Sequence, residues 1–337
     1  MIELSDEQKR QLIDSTQTFS LLMSAEKRAP SHRGSVYWQK SKGRDYLIRD
    51  QGPYDRKSLG ARSAETEQIH DAFIKRKSSE VERLKSLEEA YETKARLNSA
   101  LRVGRTPTIV IEILNELRRS GLDSHLLVIG TNALFAYETA AGVYVDSGLL
   151  ATEDFDVLWD SRQTLQFIVD ETFKTQGLMG VLRKADKSFK LEEDGFRASN
   201  KNGYIVDLIK RRPKSLKDDH EPQQMFKSEE DFWAAKIYSM DWLLSSPKFQ
   251  QIVVGINGQM ANMITIDPRA FVLYKTWLSQ KDDRNALKRS RDLAQARTVY
   301  SLVQNYMPQL SFDKISVFPG YINQLARDVH GDRALGG

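Results

Sequence analysis

Two apolar segments of this chain carry aspartate where a strand rarely tolerates it. In EDFDVLW, Asp154 and Asp156 are two residues apart. Side chains two apart along a strand share a face, so the carboxylates point one way while Phe155, Val157 and Trp159 point the other, into a core. In GYIVDLIK, Asp207 is a single carboxylate inside an otherwise apolar run. Aspartate is depleted in strands. Like charges held side by side also repel unless a cation lies between them. A shared Mg2+ accounts for both features, because carboxylate oxygens are its natural ligands. The fold is therefore expected to set these strands beside each other.

Composition narrows the chemistry further. Cysteine is absent, which removes disulfides, zinc–thiolate sites and thiol catalysis together. Only five histidines are present, too few to favour a multi-histidine centre. Metal chemistry here must come from carboxylates. Lys and Arg number 50 against 46 Asp and Glu, a net charge of +4 that permits a nucleic-acid partner without demanding one. With 337 residues, two folded units plus an accessory element are expected. No apolar run reaches the roughly 18–20 residues of a membrane helix. The start, MIELSDEQKR, is not that of a signal peptide. A bacterial-type cytoplasmic protein with no membrane partner is the expectation.

Periodicity divides the chain at 1–105, 106–225 and 226–337. The first part opens with a helix to about Glu26, carrying Leu12, Phe19, Leu22 and Met23 on one face. Pro30 and Gly34 break it. SVYWQKSKGRDYLIR reads as a hairpin with a basic tip at Lys42-Gly43, followed by a loop, QGPYDRKSLG. From Ser63 to Leu101, Ile69, Phe73, Val81, Leu84, Leu87, Tyr91 and Ala95 keep helical spacing up to a stop at Gly104. That stretch is a helical hairpin, a short coiled coil, or a helix packed on a neighbour.

In the middle part, Thr106-Pro107 signals a helix start with Thr as cap, and Gly121 its end. The stripe Ile109, Ile113 and Leu117 lies between them. Strands are expected at His125–Ile129, Gly142–Val145, Phe155–Trp159 and Tyr204–Ile209, with short ones at Phe189–Lys190 and Phe196–Ala198. Helices are expected after Asn132 and over 164–176. In the last part, a helix over Glu229–Leu244 precedes a hairpin about Asn257-Gly258. Asp267-Pro268 then opens a helix to about Leu278, and Asn285–Tyr306 forms another. The terminal GDRALGG is expected to be disordered.

The turn Gly130-Thr131-Asn132 ends a strand and starts a helix. Gly130 allows close backbone approach, and free N–H groups at the helix start suit a phosphate. The Thr131 hydroxyl adds a hydrogen bond to it. Asn132 is either a helix-start polar residue or a ribose contact. Lys275 lies four residues after Phe271 and so borders a buried face, where a lysine is costly unless it reaches a charge or snorkels out. Lys288 and Asp292 have the spacing of a helix-surface pair. Tyr37, Trp38, Lys40, Lys42, Arg44 and Tyr46 read either as a nucleic-acid hairpin, with rings stacking on bases, or as a hairpin whose aromatics pack on the long helix. His70 and His125 have no partner pattern and read as structural.

In this order, VIGTNALFAYE, ATEDFDVLW and VDLI resemble the nucleotidyltransferase fold of the DNA polymerase β superfamily. With YWQKSKGRDYLIRDQGPYDRKSLG before them and DPRAFVLYKTWLS and LKRSRDLAQA after, the chain is similar to bacterial nucleotidyltransferase-domain proteins with an N-terminal GRDYL-type segment, over roughly Ser35 to Val303. The resemblance implies an α+β fold: a mixed sheet with flanking helices, an N-terminal hairpin and helical arm, and a C-terminal helical region. It implies divalent metals, Mg2+ or Mn2+, held by Asp154, Asp156 and Asp207. It implies NTP bound at Gly130 and Thr131, beside which Asn132 is a candidate ribose contact, and Lys275 on the triphosphate, while Lys288 and Asp292 brace two helices. The reaction implied is transfer of a nucleoside monophosphate with release of pyrophosphate; the basic N-terminal region favours RNA or tRNA as acceptor over a protein or small molecule. Gly-Thr replaces the usual Gly-Ser and keeps the hydroxyl, and the gap from Thr131 to Asp154 is longer than the common spacing. Two other classes stay open: a non-catalytic nucleic-acid-binding or toxin–antitoxin-type protein that retains the fold, and a metal-dependent phosphatase or nuclease.

Overall fold

A computed structural model describes residues 1–28, 34–52, 54–162, 171–212, 223–226, 231–312 and 315–331. The chain forms two compact units, one of Arg10–Ala100 and one of Met1–Lys9 with Leu101–Gly337. Strand β1 (Ile2–Glu3) opens the chain, and helix α1 (Asp6–Arg28) follows. Ser5 and Gln8 cap α1 reciprocally, each side chain accepting from the other's backbone N–H.

In the smaller unit, α1 is followed by β2 (Ser35–Ser41), β3 (Arg44–Asp50), β4 (Arg56–Ala61) and α2 (Ala64–Ala100). The expected hairpin is present, and Lys42 and Gly43 both take positive φ, 48° and 79°, as a two-residue turn of this twist requires. The expected loop after it instead contains β4, which makes an antiparallel sheet in the order β2-β3-β4. A bulge between Leu47 and Ile48 breaks the register on β4, so RKSLGA lacks the clean alternation that marks a strand. The long helical stretch is one continuous helix. The rings of Phe19 and Tyr91 meet at 5.3 Å between α1 and α2, and Gln11 Nε2 donates to Asn98 Oδ1 at 2.9 Å in the same seam.

The larger unit continues with α3 (Thr108–Arg119), β5 (Leu126–Ile129), α4 (Ala133–Ala141), β6 (Val143–Tyr144), α5 (Ser147–Leu150), β7 (Asp154–Trp159) and α6 (Glu171–Ala185). Thr106 is not a cap. It is buried in a one-residue parallel bridge to Gly255, and Pro107 precedes the helix without a side-chain cap. The helix expected from 164 begins outside the described residues. Next come β8 (Lys190–Leu191), β9 (Arg197–Ser199), β10 (Ile205–Arg211), β11 (Ala235–Ile237), α7 (Met240–Ser245), β12 (Lys248–Val254), β13 (Met260–Ile266), α8 (Pro268–Ser279), α9 (Ala286–Tyr306) and α10 (Gly320–His330). The expected Glu229–Leu244 helix is replaced, over its described part, by β11 and the short α7. The outer edge of β10 needs backbone partners, and that demand outweighs local helical periodicity. The tail beyond Gly331 lies outside the described residues.

The main sheet runs β12-β13-β5-β7-β10-β9-β8, with β11 also on β10. It is mixed: β5 pairs antiparallel to β7 and parallel to β13, while β7 and β10 are parallel. The β10 edge is shared, with β9 covering Ile205–Asp207 and β11 covering Ile209–Arg211. β6 pairs with β1, outside this sheet. Tyr137 on α4 anchors the core. It is fully buried, donates to the Ile266 carbonyl at 2.8 Å, and meets Phe249 and Phe271 edge-on. Among the described residues no helix is long and apolar enough to cross a membrane.

A buried ion pair ties the chain entering this unit to α4. Arg105 forks onto both oxygens of Glu138, at 3.0 and 2.6 Å, and also donates to the Val145 carbonyl. Burial pushes the Glu138 carboxyl up, and Arg105 opposes that shift. Arg105→Met strands the carboxylate and should cost about 3–5 kcal/mol, read as a lower urea midpoint with an unchanged slope.

Candidate active site

β5 runs apolar to Ile129, then Gly130–Asn132 form one turn of 3-10 helix leading into α4. Gly130 has φ +69°, and a Cβ there would run into Oδ2 of Asp156. The strand register explains the closeness, since Ile129 lies opposite Asp156 across the antiparallel β5–β7 pair. Glycine is thus required at 130 both by backbone conformation and by space.

On the other side of β7, the parallel register sets Asp207 opposite Asp156 and Ile205 opposite Asp154. All three aspartates therefore line one face of two adjacent strands, at the mouth of a cavity of about 700 Å³. Burial pushes the Asp156 carboxyl up to about 6. The charges of Asp207 and Asp154 add to that rise, while Lys275 and Lys288 oppose it. Asp207 is also raised, chiefly by burial, and is held back by Arg197, whose Nε donates to Oδ1 at 3.1 Å. The donor set is all hard oxygen, the kind that suits Mg2+ or Mn2+. Among the described residues, no three His, Asp or Glu side chains close up as a ready metal cage.

The same cavity is lined by cations from α8, α9 and the loop between them. Lys275 is buried, 8% exposed, and its Nζ donates to Asp292 Oδ1 at 2.7 Å. Arg284 Nε donates to the other Asp292 oxygen. Burial lowers the Lys275 pKa and Asp292 counters it. Lys275 therefore neither snorkels to solvent nor lacks a charge partner, and it lines the cavity with Arg284, Lys288 and Arg291. Asp292 braces the two helices as expected, but through Lys275 and Arg284.

Thr131 lines the cavity too, and its Oγ1 accepts from Gln295 Nε2 at 3.1 Å. Gln295 also donates to the Leu149 carbonyl, and Arg291 to that of Ala151, so α9 is stitched to the segment before β7. With an acceptor position of Thr131 occupied, its single proton is left to donate elsewhere. Asn132 is fully buried and is absent from the cavity lining. Its Nδ2 donates to the Asp154 carbonyl at 2.6 Å, holding the start of β7. The third wall, from the β8–β9 hairpin, β10 and β11, carries Phe196, Arg197 and Ile237.

The structure thus brings together Asp154, Asp156, Asp207, Gly130, Thr131 and Lys275. Arg197, Arg284, Arg291 and Gln295 were not singled out from the sequence. Lys288, Arg291 and Gln295 keep three- and four-residue spacing on α9, a polar stripe on one helix face that could have marked them. Arg197 has no such signal, because its partner Asp207 is found only through strand pairing.

Gly130→Ala should push Asp156 off its register and is expected to abolish the site's activity at a cost of about 1–3 kcal/mol in stability, checked by urea unfolding and an activity assay. Comparison with curated proteins gave no match, and neither did comparison with solved structures. A family model described as nucleotidyltransferase matches residues 108–317, which includes the acid face, the Gly-Thr turn and the cationic wall. With well over half of the chain covered, the protein belongs to this nucleotidyltransferase family.

Proposed function

We propose that this cavity transfers a nucleoside monophosphate from an NTP to an acceptor hydroxyl, with an RNA end favoured as acceptor, and releases pyrophosphate. The observation that carries the reading is one cavity lined both by three aspartates on the adjacent strands β7 and β10 and by Lys275, Arg284, Lys288 and Arg291. Such a space takes a polyanion at the cations and needs added positive charge at the acids.

Asp154, Asp156 and Asp207 would hold a divalent metal together with phosphate oxygens of the nucleotide. Mg2+ is usually held by one or two carboxylates plus substrate phosphates, so a complete protein cage is not needed beforehand. The metal would supply charge neutralisation on the phosphates and a lowered pKa for the acceptor hydroxyl. The chain's own groups supply the rest. Thr131 donates its proton to a phosphate oxygen, while Gln295 donates to the hydroxyl oxygen and orients it. The cationic wall takes the β- and γ-phosphates. Asp207, raised by burial, takes the acceptor's proton as the hydroxyl oxygen attacks the α-phosphorus in line. The bond from that phosphorus to the pyrophosphate oxygen breaks, and pyrophosphate leaves.

The direct test incubates the purified protein with each α-labelled NTP, Mg2+ or Mn2+, and total cellular RNA and protein. Label appearing on RNA is the expected result. Label on protein would change the acceptor, and phosphodiester loss without label would replace transfer by hydrolysis. Asp156→Asn and Asp207→Asn are each expected to lower transfer by about 100-fold or more while the far-UV circular dichroism stays native. Thr131→Ser should retain most activity. Thr131→Val and Gln295→Leu should each lower kcat/KM about tenfold, one by removing the hydroxyl and the other by releasing its orientation.

A further inference from the structure

The small sheet of the Arg10–Ala100 unit has two unlike faces. Alternation along β2 and β3 puts Val36, Trp38 and Leu47 on one side, where Val36 and Leu47 are buried. Trp38 lies 5.8 Å from the His70 ring of α2, and the Gly60 position faces Thr66 of the same helix. That side is the one that packs on the long helix. The pleat turns Tyr37, Tyr46 and Ile48 to the opposite side, where all three are half-buried and are surrounded by exposed Gln39, Arg44, Arg56 and Ser58. Tyr54, in the β3–β4 loop, is fully exposed.

Charge singles out the same element. Between Gly34 and Arg62 stand seven Lys and Arg against three Asp, a surplus of four. The surplus of the whole chain, 50 against 46, is also four. The remaining residues are therefore balanced, and the net positive charge resides in this one sheet and its turns: Lys40, Arg49 and Lys57 lie on the helix side, while Arg44 and Arg56, the latter paired with Asp50 at 2.6 Å, lie on the open face. Lys42 projects at the tip of the hairpin on a left-handed residue, next to Arg44.

We propose that the open face of this sheet binds single-stranded nucleic acid, with Tyr37 and Tyr46 stacking on successive bases and the hairpin-tip cations meeting the backbone. Base stacking on aromatic rings needs unstacked bases, so a duplex is excluded from the face. An anionic bilayer would meet the same charge. It would also need bulky apolar side chains projecting from the surface, and the exposed positions of this face are polar or charged. As the place where an acceptor strand is held, the surface rests on the transfer reading. As a binding surface it does not.

The test is fluorescence anisotropy on the full chain without NTP or metal. The probes are a labelled 20-nucleotide single-stranded RNA, the DNA of the same sequence and its duplex, with phosphatidylserine vesicles in a sedimentation arm. Single strands are expected to bind and the duplex at least about tenfold more weakly. Tyr37→Ala with Tyr46→Ala should weaken single-strand binding about tenfold or more, whereas Tyr37→Phe with Tyr46→Phe should stay within about twofold, since phenyl rings stack equally well. Lys42→Glu with Arg44→Glu should weaken binding and flatten its salt dependence. Tighter binding of RNA than of DNA would support RNA as the acceptor class, and equal binding would still support the surface. Unchanged affinity in the alanine pair, equal binding of duplex, binding to vesicles alone, or no binding at all would overturn it. Transfer without binding sinks only the surface, and binding without transfer sinks only the catalytic reading.

Discussion

Asp156 and Asp207 face each other across two parallel strands at matched register, and their mutual repulsion in a half-dry setting organises the rest of the larger unit. Strand pairing holds them there, because a slip of one residue would turn both side chains into the core and Phe155 and Val206 out of it. The fold tolerates the pair by surrounding it with opposite charge. Arg197 reaches one member from the neighbouring strand, and Lys275 and Lys288 act on the other. The glycine turn completes the arrangement by leaving Asp156 room on its remaining side.

The cationic wall has its own internal balance. Asp292 takes one bond from Lys275 and one from Arg284, so two cations face the cavity without both having to leave water unpaired. Their geometry is set before any anion arrives, which avoids reorganisation when one does. Gln295 extends the same logic to a neutral group. It takes one acceptor position of Thr131 and leaves its proton free to donate. α9 thus orders one side of the cavity, and the strands order the other.

Features governed by local chemistry were legible in the sequence. The Asp-x-Asp alternation, the Lys42-Gly43 turn and the Asp267-Pro268 start all declare themselves within a few residues, and each is found as read. The nucleotidyltransferase family and the mixed α+β architecture were legible from the order of the motifs. Features governed by distant partners were hidden. β4 was masked by a bulge, and β11 by helical periodicity that the open edge of β10 overrules. Thr106 carried a capping signal but is drawn into a bridge with Gly255. Asn132 read as a helix-start polar residue or a ribose contact, and the bond of its side chain to the start of β7 had no signal in the sequence. Of the two readings of the Tyr37–Tyr46 hairpin, packing on the long helix holds for Trp38, whereas Tyr37 and Tyr46 lie on the other face of the sheet, because adjacent residues of a strand face opposite ways.

The position of β5 between β7 and β13 also bears on how this protein is made. Thr265 Oγ1 donates to the carbonyl of Val128, a partner 137 residues earlier in the chain. On a ribosome, the three aspartates emerge well before β13 and before the helices that carry Lys275 and Gln295. For that interval the acids have no cationic wall, and β5 has one open edge. Contacts so far apart in sequence close slowly and leave strand edges exposed meanwhile. The larger unit therefore closes around its acids only once β13, α8 and α9 have been made, and until then its strand edges are open to mispairing.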